Sequence, residues 1–462
     1  MQHSKVADLS RVVLIMLLSR MAGCTTFSPD GGFNRVEVTT QQHIKQKPVW
    51  ANSDALIKEN AAQVKSLLAK PLRLDDAVQI ALINNANLQA DFYQLQIAES
   101  NVVQAGRLPN PRFSMLYARN NGDYTIEQVF TMNLMALFTM SKATEIEKQH
   151  FKRQQNQVAL SILNLARETR NAYIDALAMH QKLDYLEQVM KSAKASGELA
   201  SRMHQAGNWS KMQADREQSF LIENTLAYQQ AKYDCIQARE NLTRLLGLSD
   251  PDDFKLPTRL PNLPDNQNDL KQINATDFAK RLDLQQTKLN TLALAKQLGL
   301  TKSTRLINVL EFGPARVLEG RRGDTPKKGI EISFELPLFD WGTARVKRAE
   351  ARYMQAINEA KQQAIIAASE VRQQYDFYTS RYAIAQSYRD QIIPLRKRLL
   401  DESLLRYNGM LISPFELMQT AREQVLAVNQ YMMVLRDFWK AESDLEMALI
   451  GSPTALEGNI SQ

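Results

Sequence analysis

Two cysteines and five histidines are the side chains in this 462-residue chain that could bind a transition metal or act as strong nucleophiles. They do not gather at the short spacings that metal ligands require. The chain also lacks a nucleophile elbow, a glycine-rich phosphate loop and a His-Glu-x-x-His sequence. The sequence therefore predicts no enzyme, no cofactor and no metal site.

Cys24 is the residue whose neighbours predict a chemical modification. The apolar run at 12–18 follows basic residues and is too short to cross a bilayer, which is typical of a signal peptide. Ala22 and Gly23 then lie directly before Cys24, a pattern that resembles the cleavage site of bacterial lipoproteins. We expect residues 1–23 to be removed and Cys24 to carry lipid. The alternative is an ordinary secretory signal with an incidental cysteine.

The charge of the chain argues against nucleic acid as a partner. The formal net charge is +7, of which the leader contributes Lys5, Arg11 and Arg20 against Asp8. The remaining charges are dispersed and form no basic run. The second cysteine, Cys235, lies in a predicted helix and is expected to be a small packing residue.

The first half of the chain predicts a helix, a strand pair and a long helical hairpin. A helix is expected over about 74–107, followed by a hairpin of alternating apolar and polar residues at about 111–134. Apolar residues then recur every three or four positions over about 141–205, the repeat of a coiled coil. A turn at Gly207 and Asn208 leads into a return helix that ends near Gly247.

The second half repeats this order. A helix is expected over about 275–302, followed by a strand near 305–313, a charged loop and a second alternating strand. The next helix is again very long, and Pro394 should kink it or relax its last turns. A turn at Gly409 and Met410 leads into the last helix. The chain is therefore predicted to be an internal duplication.

We divide the chain into six segments on this basis. They are 1–23 (signal peptide), 24–71 (lipid-anchored linker with a short helix near 53–68), 72–250 (first repeat), 251–273 (proline-rich connector), 274–452 (second repeat, with strands at about 304–337) and 453–462 (tail).

The predicted lengths require an oligomer. Each long helix would extend on the order of 100 Å at ~1.5 Å per residue. The strands have the 9–11 residues of a membrane β-strand. Four strands cannot close a barrel, and open sheet edges are not tolerated in lipid. Three copies would supply twelve strands.

The chain resembles the TolC-like outer-membrane efflux proteins over residues 72–451. The resemblance rests on sequences in both halves, namely Leu74-Asp75-Asp76-Ala77, Gln104-Ala105-Gly106, Leu336-Pro337-Leu338-Phe339-Asp340-Trp341-Gly342 and Tyr407-Asn408-Gly409. It implies a fold that is mainly α with a membrane β-barrel portion. It also implies a homotrimer with a twelve-stranded β-barrel in outer-membrane lipid and an α-helical barrel in the periplasm. The implied partners are a periplasmic adaptor (membrane fusion) protein and an inner-membrane pump.

The resemblance further implies an acidic ring that narrows the periplasmic mouth just after the second helical turn. Glu416 corresponds to one acidic position and Gln419, which is uncharged, to the next. Glu416 could instead be a solvated acid that is favoured at a helix start.

Two other functions stay open from the sequence. The duct could serve a type I protein-secretion system, or the chain could be a lipid-anchored coiled-coil scaffold without a pore. The exported substrate also stays open, since the 17 methionines are mostly at core spacing and do not by themselves indicate metal export. The basic residues around 316–328 are candidates for contact with lipopolysaccharide phosphates, or they form a solvated loop.

Overall fold

The computed structural model describes residues 26–121, 123–266, 280–307, 309–321 and 323–452. They form two compact units, each of which combines segments from both halves of the sequence. The strand unit lies within 1–36, 93–158 and 284–364. The helical unit lies within 37–92, 159–283 and 365–462. The units therefore do not coincide with the predicted repeats.

Helices make up most of the described chain. In chain order they are α1 Phe33–Gln41, α2 Asp54–Leu68, α3 Leu74–Asn84, α4 Ala86–Ala105, α5 Leu134–Gln205, α6 Lys211–Leu245, α7 Leu282–Ser303, α8 Thr343–Ser387, α9 Ile393–Asn408 and α10 Pro414–Ile450. A 3₁₀ turn at Pro251–Asp253 follows α6, and a π-helical turn at Tyr388–Ile392 joins α8 to α9.

Four strands form one antiparallel sheet in the order β1-β2-β3-β4. They are β1 Arg112–Asn120, β2 Asp123–Asn133, β3 Leu310–Gly320 and β4 Lys327–Phe334. The order helix, two strands, long helix and return helix thus occurs twice, as α4-β1-β2-α5-α6 and as α7-β3-β4-α8-α9-α10. The duplicated, mainly α-helical fold predicted from the sequence is confirmed.

The sheet has one mainly apolar and one mainly polar face, because successive side chains of a strand alternate between its two sides. The apolar face carries Phe113, Met115, Tyr117, Tyr124, Ile126, Phe130, Met132, Phe312, Leu318, Ile330, Ile332 and Phe334. The polar face carries Ser114, Thr125, Glu127, Thr131, Asn133, Glu311, Glu319, Glu331 and Ser333.

The core of the helical unit includes two seams, of which the one on α5 follows the predicted coiled-coil repeat. On α5 these are buried small and aliphatic side chains, among them Ile162, Thr169, Ala172, Ala176 and Leu186. On α8 the seam includes Ala367, Val371, Tyr378, Tyr382 and Ala385, all buried. Small residues in these seams let neighbouring helices approach closely, which is how a wall of side-by-side helices packs.

The prediction of a single helix over 74–107 is wrong, because the helix is interrupted at Asn85. The backbone of Asn85 is extended (φ −70°, ψ 115°) between α3 and α4. Its side-chain oxygen accepts a hydrogen bond from the Leu88 N–H at 3.1 Å, while its amide donates to the Leu245 carbonyl at 3.0 Å. Asn85 therefore caps the start of α4 and binds the end of α6. These two hydrogen bonds offset the free-energy cost of interrupting the helix.

Three predicted boundaries also need correction. The third strand runs over Leu310–Gly320 rather than 305–313, because the residues read as a charged loop alternate between the two faces and pair with β2. The long helix α5 begins at Leu134, where Asn133 accepts a hydrogen bond from the Ala136 N–H at 2.9 Å. The helix predicted over about 275–302 corresponds to α7, which begins at Leu282.

The effect predicted for Pro394 is confirmed. A proline lacks the N–H that would continue the i→i−4 ladder of an α-helix. The chain widens into the π-helical turn directly before it, and the Ile393 N–H donates to the Tyr388 carbonyl five residues back.

Arg281 lies at the centre of a buried polar cluster in the helical unit. Its guanidinium is fully buried and donates to Asp283 at 2.8 Å and to Glu370 at 2.7 Å. It also donates to the Ala448 carbonyl, so that the start of α7 is tied to α8 and α10. Burial disfavours the charge, but the bonds to the two carboxylates outweigh it and raise the pKa of Arg281.

Tyr173 gives the helical unit a defined pH dependence. Its hydroxyl donates to the Leu72 carbonyl at 2.8 Å, and burial raises the pKa of Tyr173 to about 12. A raised pKa means that the fold favours the neutral phenol. The contribution of neutral Tyr173 to the free energy of unfolding is therefore complete below the unfolded pKa of about 10, and it is lost as the pH rises through the folded pKa of about 12. We expect stability to fall by about 1.4 kcal/mol at pH 11 for this reason.

Thermal unfolding of the wild type and of Tyr173→Phe between pH 8 and pH 11 measures this effect. The difference in melting temperature between the two proteins should shrink across this range. An unchanged difference would contradict the assignment to Tyr173.

Candidate functional site

The first helical tip is the turn between α5 and α6. Gly207 adopts a left-handed backbone (φ +78°), and no other atom lies within 4 Å of the position of a Cβ there. The constraint at Gly207 is therefore its backbone angle rather than crowding. The Asn208 N–H donates to the Met203 carbonyl at 2.9 Å, and Ser210 begins α6 in a capping box with Gln213.

The second tip is the turn between α9 and α10. Gly409 ends α9, and Met410 has a left-handed backbone (φ +59°) and is 93% exposed. Ser413 begins α10 in a second capping box, whose other member is Glu416. The two tips are thus built by the same device, with a serine at the N-cap and Gln213 or Glu416 three residues later.

Glu416 and Gln419 lie on the exposed side of the first turns of α10. They are three residues apart and share one face of the helix. The Glu416 carboxylate accepts a hydrogen bond from the Ser413 N–H at 3.2 Å. Glu416 is therefore a capping residue, and its role with Gln419 at an aperture stays a prediction. Cys24, the predicted lipid anchor, lies outside the described residues.

A buried ion pair joins the two helical hairpins near these tips. Glu217 on α6 is fully buried, and its carboxylate accepts a hydrogen bond from Arg422 on α10 at 2.5 Å. The other carboxylate oxygen accepts a hydrogen bond from the Ser196 hydroxyl on α5 at 2.7 Å. The Arg422 guanidinium also lies over the Phe220 ring, 4.3 Å from its centroid. Three helices thus meet at one charged contact.

Weaker contacts surround this pair. The Arg216 guanidinium lies 5.3 Å from the Phe415 ring centroid, within the range of a cation–π interaction. Arg396 on α9 forms an ion pair with Glu423 on α10, and the Ser403 hydroxyl donates to Thr420 at 3.3 Å. The contacts of Arg396 and Ser403 hold α9 against α10. The contact of Arg216 with Phe415 and the ion pair of Glu217 with Arg422 hold α10 against the first hairpin.

The sequence contains a signal for this ion pair. Asp215-Arg216-Glu217-Gln218 and Ala421-Arg422-Glu423-Gln424 are similar tetrapeptides in the two return helices, which supports the duplication. The structure shows that these stretches also contact each other. An acid on one helix and a base on the other, each close to a tip turn, could have predicted the pairing.

The described residues contain no cluster of three or more histidine, cysteine or acidic side chains that could hold a metal ion. Among the same residues, no helix is both long and apolar enough to span a bilayer.

Part of the chain matches the model of a known family. Residues 77–248, from α3 to the end of α6, match the model of the outer membrane efflux protein family. The predicted resemblance to the outer-membrane efflux proteins is confirmed. No curated protein matches the chain.

Solved outer-membrane channels share this fold. The outer-membrane channel MtrE of Neisseria gonorrhoeae, in its open state, is 18% identical with a TM-score of 0.69, over 82% of this chain and 89% of that one. The CmeC outer-membrane channel of Campylobacter jejuni is 17% identical with a TM-score of 0.66, over 81% and 85%. The outer-membrane protein VceC of Vibrio cholerae is 14% identical with a TM-score of 0.68, over 82% and 96%. The chain has the duplicated fold of an outer-membrane efflux protein.

Proposed function

We propose that this protein is the outer-membrane exit duct of a tripartite efflux system. In this role it conducts substrates passively to the outside. An inner-membrane pump supplies the energy, and a periplasmic adaptor joins the pump to the duct. The family match and the shared fold support the proposal, and the open-edged sheet with a single apolar face is the observation that carries it.

The sheet needs partner strands on both sides. Within the described part of the chain, β1 pairs only with β2 and β4 pairs only with β3. The outer edges therefore present backbone groups that have no ladder partner, and such edges are not stable in lipid. Three copies supply twelve strands, which can close a barrel with the apolar face toward lipid and the polar face toward the lumen. The proposal therefore includes a homotrimer.

An exposed apolar stripe on α6 supports the same oligomer. Ile222, Leu226, Tyr233 and Ile236 are between 51% and 65% exposed. Their spacings of four, seven and three residues place them on one face of the helix. A stripe of this kind is the usual mark of a contact with another helix. A neighbouring copy of the chain would cover it.

The substitution Leu226→Asp tests this contact. A charge in the stripe would have to be buried against the neighbouring copy, so we expect the trimer to dissociate at concentrations where the wild type stays assembled. Light scattering of the detergent-solubilised protein measures the mass. Glu223→Gln, on the same helix and exposed, is the matched control and should leave the trimer intact. A trimer that is equally stable in Leu226→Asp would remove this face from the interface.

The helical tips are the proposed gate. In the closed state the contacts at Glu217 and Arg422 would hold the second hairpin inward, where Glu416 and Gln419 would border the aperture. Opening then requires the hairpin that α9 and α10 form to move away from the first hairpin. A gate of this kind needs two packing arrangements of similar free energy.

The proposed location is the bacterial outer membrane. Cys24 is proposed to anchor the mature chain there through lipid, in addition to the barrel. Labelling cells with radioactive palmitate tests the anchor, because the wild type should incorporate label and Cys24→Ser should not. Equal labelling of the two proteins would exclude Cys24.

Growth of a deletion strain tests the efflux function and its substrate. The panel contains copper, silver, zinc, dyes and antibiotics. Sensitivity to metals alone would assign the duct to a metal pump, and sensitivity to amphipathic drugs would make it a multidrug exit. In either case a plasmid copy of the gene should restore growth. Full growth on the whole panel would count against an efflux role.

A further inference from the structure

The charges of the sheet sort by face. The acidic side chains of the strands are all on the polar face, namely Asp123, Glu127, Glu311, Glu319 and Glu331. The apolar face carries three cations, Arg119, Arg316 and Lys328, and none of its strand residues is acidic. The apolar face of the described sheet is therefore positively charged, although it is the face proposed to meet lipid.

The cations of the polar face have partners on that face. Lys327 lies 2.9 Å from Glu319, and Arg112 lies 3.0 Å from Glu311. Arg316 and Lys328 differ, since both are exposed and neither forms an ion pair with any residue that the structure describes. Their charges are left for a partner outside the chain.

Arg316 and Lys328 belong to one row that runs across three strands. Arg316 on β3 is directly opposite Gln128 on β2 and directly opposite Lys328 on β4. The Cβ atoms of such opposite residues are about 4.5–5.5 Å apart. The row therefore presents an amide, a guanidinium and an ammonium group side by side.

Apolar side chains lie on both sides of this row along the strands. Ile126 and Leu318 follow it toward one end of the sheet, and Phe130 and Ile330 follow it toward the other. From Lys328 to Phe334 the apolar face extends for about 20 Å at ~3.3 Å per residue. A cation on a lipid-facing strand is costly near the middle of a bilayer and nearly free at its surface. The row is therefore best placed at the level of the lipid headgroups.

We propose that Gln128, Arg316 and Lys328 form a binding site for the phosphate groups of an anionic lipid. The inference rests on the proposed function, because that function places the apolar face in a membrane. The proposed ligand is the phosphate of a phosphorylated glycolipid of the lipid A kind. The guanidinium binds phosphate oxygens through two parallel hydrogen bonds, the ammonium adds a point charge and the amide donates a further hydrogen bond. The flanking apolar rows contact the acyl chains.

Native mass spectrometry of the purified full-length protein tests the site. The probes are lipid A with two phosphates, the same lipid without phosphates, and inorganic phosphate. We expect the wild type to retain the phosphorylated lipid in preference to the dephosphorylated one. The double variant Arg316→Gln/Lys328→Gln should bind the phosphorylated lipid on the order of ten-fold more weakly, because each cation near a membrane surface contributes to the attraction.

Lys327→Gln is the matched control, since Lys327 neighbours Lys328 but lies on the opposite face with Glu319 as its partner. It should bind lipid like the wild type. Equal binding of the two lipids by the wild type would overturn the proposal, and so would an equal loss in Lys327→Gln. Displacement of the lipid by inorganic phosphate at equal concentration would assign the site to a free anion instead.

Conductance measurements on the same samples separate this inference from the proposed function. If the wild type forms channels but does not prefer phosphorylated lipid, the lipid site fails and the duct stands. If the wild type forms no channels, the duct itself fails. Channels of wild-type conductance in the double variant, with weakened lipid binding, support both.

Discussion

Glu217→Gln is expected to destabilise the helical unit by about 3 kcal/mol. The substitution keeps the shape of the side chain but removes the charge that neutralises Arg422. Breaking a buried ion pair by removing one partner costs about 3–5 kcal/mol. The lower end applies because the Arg422 side chain retains 18% exposure. Chemical denaturation followed by circular dichroism measures the loss.

The loss should be specific to the buried pair. Glu223→Gln removes an exposed acid of the same helix and is expected to change stability by less than about 0.5 kcal/mol. The double variant Glu217→Gln/Arg422→Leu should recover part of the lost stability, because it leaves no unpaired charge. Additive effects of the two substitutions would show that the pair is not coupled.

The same variant should loosen the helical tips. Because the pair ties α10 to α5 and α6, its loss releases the second hairpin from the first. We expect faster protease cleavage in the exposed turn around Met410 and larger channel conductance than in the wild type. A variant that is less stable but has unchanged conductance would show that the ion pair takes no part in gating.

Gly313→Ala is expected to prevent the sheet from forming. A Cβ at Gly313 would lie 1.7 Å from the carbonyl oxygen of Phe130 on the neighbouring strand. Added atoms in a packed site typically cost about 1–3 kcal/mol. The cost here should exceed that range, because the atom in the way belongs to the backbone of a paired strand and cannot rotate aside. The amount of detergent-stable oligomer recovered from the membrane fraction measures the effect.

Gly329→Ala is the control for this substitution. Gly329 lies in the adjacent strand β4, directly opposite Ala315, and a Cβ there would have no other atom within 4 Å. The protein with alanine at 329 should be recovered at the wild-type level, and the protein with alanine at 313 should be nearly absent. Similar recovery of both variants would mean that β2 and β3 do not pair as described.

Much of the fold could be predicted from the sequence because it depends on periodic patterns. The seam of α5 was visible as apolar residues every three or four positions, and residues of this seam are buried. The alternation around β1 and β2 predicted the two faces of the sheet. Pro394 predicted a local defect because the absence of an N–H has the same effect in any helix. Each of these features is set by neighbours along the chain.

The features that were missed depend on partners distant in sequence. Asn85 breaks a helix because it also binds the Leu245 carbonyl, 160 residues away. The charged residues of β3 looked like a loop because their pairing with β2 and β4 cannot be read from β3 alone. The buried partners of Arg281 are likewise far apart in the chain. Such contacts give little periodic signal, and so the sequence predicted the tip turns but not the ion pair that holds them.

Single-channel recording in planar lipid bilayers tests the central claim most directly. The sample is the purified full-length protein, whose mass is first determined by light scattering. We expect a trimer that inserts in discrete steps of ionic conductance, with larger steps for Glu217→Gln. A trimer that never conducts, or a monomer or dimer without channel activity, would contradict the proposed duct and would favour a scaffold without a pore.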